Sequence, residues 1–144
     1  MTHKNTVTSS NIILALVTVF FVVILSIFFI NGVSVDINDE RIKIKGIYGT
    51  EMPLDDIQEV QIIDKIPFLG TKINGIGLGF MNIGHFSFEG IGKVRLFEIK
   101  RGSGILIVGQ KEKILLAFGE EKNKAIYEEL MRAIEEKRSA SSGH

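Results

Sequence analysis

The chain has 144 residues, equal totals of 17 basic and 17 acidic side chains, two prolines, and neither cysteine nor tryptophan. The lack of cysteine rules out a disulfide scaffold, a thiolate metal site, a cysteine nucleophile and a redox dithiol. The neutral balance argues against a chain built to neutralise nucleic-acid phosphates, and the length argues against a multi-domain enzyme.

Apolar residues make up 45% of the chain, an ordinary share, but they are unevenly distributed. From Ile12 to Ile30 run 19 residues broken only by Thr18 and Ser26, with no charge. As a helix this stretch covers roughly 28 Å, about the hydrocarbon thickness of a bilayer. Thr18 and Ser26 can return their hydroxyls to carbonyls of the preceding turn, and the apolar residues leave no polar face for water. The pattern predicts an N-terminal tail over 1–10 and a retained transmembrane helix over 11–31. A soluble core helix is the weaker rival, since it would be shorter and interrupted. A cleaved signal peptide is the stronger one. Its apolar region spans about 7–15 residues and ends in a small-x-small site, whereas this run is longer and leaves through Phe28-Phe29-Ile30-Asn31-Gly32. Only Lys4 and the α-amino group precede the run, while Arg41, Lys43 and Lys45 follow it. That asymmetry tilts the rest of a single-pass cell-membrane protein toward the cytoplasm. No G-x-x-x-G lies within 12–30 to support association through the helix.

After Gly32 the apolar period becomes two. VSVDI (33–37) and RIKIKGIYG (41–49) flank Asn38-Asp39-Glu40, which predicts a hairpin with Ile42 and Ile44 on one face and Arg41, Lys43 and Lys45 on the other. Gly46 interrupts the second run as a candidate bulge. MPLDDIQEVQIID (52–64) opens with a Pro-Leu-Asp-Asp turn and supplies a strand around Val60, Ile62 and Ile63. A Gly-rich passage over 70–92 precedes three further strands, KVRLFEIK (93–100), GILIVG (104–109) and KILLAFG (113–119). Glu120 to Arg138 then carries Ile126, Leu130 and Ile134 on one face of a helix of about 15 residues. Glu120 and Glu121 at its start, and Lys137 and Arg138 at its end, match the macrodipole. The polar tail 139–144 is expected to be disordered. Seven or so strands thus precede one helix able to plug the open end of a barrel or sandwich.

Two runs carry a resemblance. One is Y-G-x-x-x-P-L-x-D-I, with Tyr48, Gly49, Pro53, Leu54, Asp56 and Ile57; the other holds Asn74, Gly75, Gly77, Gly79, Gly84 and Phe86. With ILLAF and the final amphipathic helix, they resemble the membrane-associated branch of the bacterial pleckstrin-homology-like (PH-like) family over roughly 33–137. The resemblance implies a mainly β domain over 33–138: a seven-stranded antiparallel split barrel or sandwich of two nearly orthogonal sheets, capped by the C-terminal helix. Members of the family often have more than one membrane segment. The family has no established catalytic residues, so none is transferred.

The glycines do not form a phosphate loop. Gly75-x-Gly77-x-Gly79 has the wrong spacing for a dinucleotide fingerprint, no helix follows, and no G-K-[ST] is present. Gly75, Gly77, Gly79 and Gly84 are read as structural, allowing strands to bend or to approach closely. His85 falls opposite Phe86 and Phe88 and reads as a surface or barrel-rim residue. With no H-x-x-H and no G-x-S-x-G, neither a metal site, a catalytic histidine nor a cofactor is expected. Asp55 and Asp56 are adjacent, and Glu120/Glu121 and Glu135/Glu136 belong to the helix, so no carboxylate pair is suited to acid–base work.

These readings converge on a non-catalytic membrane-anchored module that binds a protein or peptide partner. An exposed sheet edge would accept a strand, and the tether would raise the local concentration of membrane-bound partners. The alternative is an anionic lipid-headgroup or small-anion binder using Arg41, Lys43, Lys45, Lys93 and Arg95, each cation contributing about 1 kcal/mol near an anionic leaflet. Against it, all the acidic residues and every basic residue but Lys4 lie after Gly32, so no bulk positive charge drives lipid binding. The duller role for these cations is a charged outer face that keeps sheet edges apart.

Overall fold

The computed structural model describes residues 9–68 and 70–143, and the chain divides after Gly32 into two compact units. In the first, α1 (Ser9–Asn31) is a single helix. Its Ser9–Phe28 stretch is long and apolar enough to cross a membrane. The Thr18 hydroxyl donates to the Leu14 carbonyl at 2.8 Å and Ser26 to Val22 at 2.8 Å, so both polar side chains are satisfied inside the helix. Phe20 and Phe21, neighbours on different faces of α1, are both exposed. The helix therefore has no polar stripe to turn toward water.

The second unit has two sheets. The smaller contains β1 (Ser34–Ile37), β2 (Arg41–Lys45) and β3 (Thr50–Pro53) in sequence order. Asn38 shapes its first turn, with Oδ1 accepting from the backbone N–H groups of Glu40 and Arg41 at 2.9 Å each. Alternation along β2 buries Ile42 and Ile44 and turns Lys43 and Lys45 outward, as the sequence predicts. Gly46 does not form a bulge. It ends β2 at φ 123° and starts the turn to β3, with the Gly49 N–H donating to its carbonyl at 3.0 Å.

A 3₁₀ turn (Leu54–Asp56) leads to the larger sheet. That sheet holds β4 (Ile57–Ile63), β5 (Gly70–Gly77), β6 (Asn82–Phe88), β7 (Gly92–Lys100), β8 (Gly104–Gly109) and β9 (Lys113–Phe118), in the order β4-β8-β9-β7-β6-β5. Nine strands thus form among the described residues rather than seven. Six of them fall on the runs read as strands; the other three are β3, which follows the Gly46–Gly49 turn, and the hairpin β5–β6 inside the Gly-rich passage. The expectation of wholly antiparallel pairing also needs correction, because β7 and β9 are parallel. After β7 the chain reverses into β8, but β9 folds back between the two and so runs the same way as β7.

In the β5–β6 hairpin, Gly75 lies directly opposite Gly84, with φ of 154° and 135°. A Cβ on Gly84 would meet the Asn74 carbonyl oxygen at 2.4 Å, and one on Gly75 would meet that of Ile83 at 2.3 Å. Only a pair of glycines allows the backbones to come this close. Gly77 packs beside Asn82, and Gly79 forms the turn at φ 77°.

The central strands of the larger sheet are buried on both faces. Ile83, Phe97, Leu116 and Ile105 form a cross-strand row on one face. Phe86, Phe88, Val94, Leu96 and Leu115 cluster on the other, joined there by Ile66 from the β4–β5 connection. Although consecutive in the chain, β4 and β5 are the two edges of the sheet, so their connection must cross it. The Ile66 N–H fastens it by donating to the Gly102 carbonyl at 2.9 Å.

Helix α2 (Glu120–Ser142) buries Ile126, Leu130 and Ile134, the predicted stripe. It is longer than expected. Residues 139–142, read from sequence as a disordered tail, are helical, and His144 lies outside the described residues. Extending an existing helix requires no new nucleus, and 139–142 contain neither glycine nor proline. Lys137 is consequently not in the last turn; it pairs with Asp55 of the 3₁₀ turn at 3.0 Å. Asn123, only 3% exposed, holds the N-terminal end of α2. Its Oδ1 accepts from the Phe118 N–H at 2.9 Å, and its Nδ2 donates to the Ser103 carbonyl at 2.9 Å. Asn123→Ala leaves both backbone groups without these partners, and the expected loss is about 1–3 kcal/mol, read as a lower urea midpoint for the full chain in uncharged micelles.

Candidate functional site

Strand β4 pairs with β8 alone, so one edge of its backbone carries no strand partner among the described residues. Gln58, Glu59, Gln61 and Ile62 are exposed along it, Ile62 by 50%. Helix α2 stands across from this edge, fixed by Asn123 and by the buried Leu130. Between them lies a groove of about 650 Å³, lined on the strand side by Ile62 and Asp64 and on the helix side by Lys124 and Tyr127. The β7–β8 turn closes one end with Arg101 and Ser103. Its cations Lys100, Arg101 and Lys124 are matched by Asp64, Glu120 and Glu128. The groove thus presents Ile62, a tyrosine ring and mixed charges beside a strand edge that has no strand partner among the described residues. An extended chain needs both: ladder hydrogen bonds for its backbone and a recess for alternate side chains.

The five cations singled out in the sequence separate into two places. Arg41, Lys43 and Lys45 share the outer face of β2, and each meets a carboxylate. Arg41 reaches Glu40 and Glu51 at 3.2 Å, Lys43 reaches Glu51 at 3.9 Å, and Lys45 reaches Asp36 at 3.1 Å. The hydrogen bond to Glu40, and then the charge of Glu51, push the Arg41 pKa up. Exposed pairs of this kind add little stability, but they neutralise the face.

Lys93 and Arg95 lie elsewhere, on β7, where they line a second concavity of about 280 Å³ with Ile73, His85, Lys111 and Lys113. Arg95 donates Nε to Glu112 at 2.9 Å and Nη1 to the Tyr48 carbonyl at 3.1 Å. Glu112 also accepts from the Thr50 hydroxyl at 2.6 Å. His85 is half-buried on the face opposite Phe86 and Phe88, its ring edge-on to Tyr48 at 6.0 Å. Tyr48 has φ 60°, a conformation a bulky residue adopts only when its surroundings hold it. Its hydroxyl donates to the Asn74 side chain at 3.1 Å.

Lys111 and Lys113 were not among the residues singled out from sequence. Their signal was the charged turn between two apolar strands, but only the parallel placement of β9 beside β7 brings that turn next to Lys93. Asp55 and Asp56 occupy the 3₁₀ turn rather than a strand, Asp55 paired with Lys137 and the Asp56 carbonyl accepting from the Gln110 N–H at 3.0 Å. Among the described residues no group of three or more histidines and carboxylates is arranged to hold a metal ion.

A family model described as a bacterial PH domain matches residues 33–134, from Val33, just before β1, to the buried Ile134 of α2. No curated protein and no solved structure matches the chain.

Proposed function

The chain belongs to the bacterial PH domain family, and from that premise we propose that it is a membrane-anchored, non-catalytic interaction module that receives an extended segment of a partner protein in the β4–α2 groove. The observation that carries this reading is that β4 is an edge strand beside a recess of about 650 Å³ lined by Ile62, Asp64 and residues of α2. Strand addition takes its affinity from main-chain hydrogen bonds and its selectivity from pockets for alternate side chains. Ile62 and Tyr127 supply apolar surface for such pockets. Helix α1 is the tether, and the excess of lysine and arginine after it favours a cytoplasmic domain. Tethering confines module and partner to one surface and raises their effective concentration.

The test begins with a photo-crosslinking amino acid at position 62 of the full-length protein in its native membranes. The crosslinked segment is mapped, synthesised and added to the purified protein. The expected result is slowed amide hydrogen exchange across residues 57–63, abolished by Tyr127→Lys. If the segment leaves exchange in β4 unchanged, strand addition at this edge is wrong.

A further inference from the structure

We infer that the strand received at the β4 edge is the β4 strand of a second copy of this chain, the two pairing antiparallel about Gln61. The inference rests on the strand-addition reading above and names its partner.

The first ground is the contrast between the two edges of the larger sheet. Strand β5 carries devices that keep an edge from pairing. Lys72 is exposed on it, a register shift interrupts it between Lys72 and Asn74, and Gly70, Gly75 and Gly77 lie along it. Strand β4 has its irregular step at one end, between Ile57 and Glu59. From Glu59 to Ile63 its ladder with β8 is regular, and the sequence EVQII holds a single charge and neither lysine, glycine nor proline. Residues 58–63 make no backbone hydrogen bond outside that ladder among the described residues. Such an edge is a template for another chain unless something covers it.

The second ground is self-complementarity. Antiparallel pairing sets opposite each other only residues whose backbone groups point the same way, so two identical edges pair about a residue and not about a peptide bond. Centred on Glu59, the pairing would bring two carboxylates face to face, which is unfavourable. Centred on Val60 or Ile62, it runs out of regular strand after one pair on either side, at Gln58 in the first case and at Ile63 in the second. Centred on Gln61, it uses the whole regular stretch: Glu59 meets Ile63, Val60 meets Ile62, and Gln61 meets itself. An amide both donates and accepts, so Gln61 can bond its own copy. Val60 and Ile62 share one face of β4, lying opposite Ile107 and Ile105 of β8. The paired copies therefore join four β-branched side chains there, covering Ile62, which is 50% exposed in the single copy.

The third ground is the tether. A ladder this short is weak in dilute solution, but α1 confines the copies to one membrane and raises their effective concentration.

The chain has no cysteine, so single introduced cysteines report the pairing directly. Full-length chains carrying Glu59→Cys, Val60→Cys, Gln61→Cys or Ile62→Cys, with Ile73→Cys on β5 as control, are oxidised by copper phenanthroline in their native membranes. Opposite Cα atoms in an antiparallel pair lie about 4.5–5.5 Å apart, within disulfide reach. The expected result is covalent dimer at Gln61→Cys about tenfold or more above the control. Mixed disulfide is expected when differently tagged Val60→Cys and Ile62→Cys chains are co-expressed. In the Gln61→Cys chain, Val60→Lys with Ile62→Lys sets lysines opposite each other and removes the dimer, whereas Val60→Lys with Ile62→Glu restores it. No dimer above the control, a maximum at another β4 position, or dimer that survives the lysine pair overturns the inference. The photo-crosslinker at position 62 then separates the two failures. A different protein captured there, slowing exchange in β4, leaves strand addition standing with another partner, whereas unchanged exchange ends both.

Discussion

Replacing Phe20 and Val23 together by lysine is expected to move the protein from the membrane pellet to the carbonate supernatant. Each lysine near the centre of a spanning helix opposes insertion by about 2.5–3.5 kcal/mol, while each Leu, Ile, Phe or Val favours it by about 0.3–0.6 kcal/mol. Two lysines therefore offset most of the gain from the whole apolar run. Both sites lie in the middle of α1, too far from either end for the side chains to snorkel. Leucine at the same two positions is expected to leave the protein in the pellet. The rival account, a leader removed on export, is tested in the unaltered protein by measuring its mass. A mature chain beginning after Asn31 would end the anchor reading.

The second large effect is expected at Phe97, which is fully buried between Ile83 and Leu116 in the central row of the larger sheet. Phe97→Ala removes most of a ring from a close-packed site flanked by strands on both sides, where relaxation is limited. The expected destabilisation is about 3–5 kcal/mol. That is a large part of the roughly 5–15 kcal/mol that holds a typical domain together. It is read from the urea midpoint of the full chain in uncharged micelles. A change under about 1 kcal/mol would mean that this face of the sheet is not packed as described.

Strands and helices announced themselves wherever the pattern was local. The alternation of Ile42 and Ile44 with Lys43 and Lys45 needs only a half-buried strand, and the stripe of Ile126, Leu130 and Ile134 needs only one apolar helix face. The β5–β6 hairpin was obscured because Gly75 and Gly84 take the places where side chains would mark the alternation. The parallel pairing of β7 with β9 has no local signature at all, since the alternation is the same in either direction. That omission also hid the second concavity, whose lysines come from two segments brought together by that pairing. The β2 cations were placed on the correct face, yet their partners Glu51 and Asp36 belong to neighbouring strands and become partners only through register. The groove joins β4 to a helix that begins 57 residues after Ile63. Short-range periodicity does not reach that far.

The connection from β4 to β5 sets the curvature of the larger sheet. Between Ile63 and Gly70 there are seven Cα steps, which reach at most roughly 23–25 Å when fully stretched. On a flat sheet the five gaps between these edge strands would alone separate them by about 24 Å. Following the register across the sheet, Ile63 stands level with Gly77, at the far end of β5 from Gly70. The length of β5 then adds about 23 Å at right angles, for a diagonal of roughly 33 Å. A belt that short can be buckled only around a sheet already rolled up, so a handful of residues outside any strand fixes the girth of the barrel.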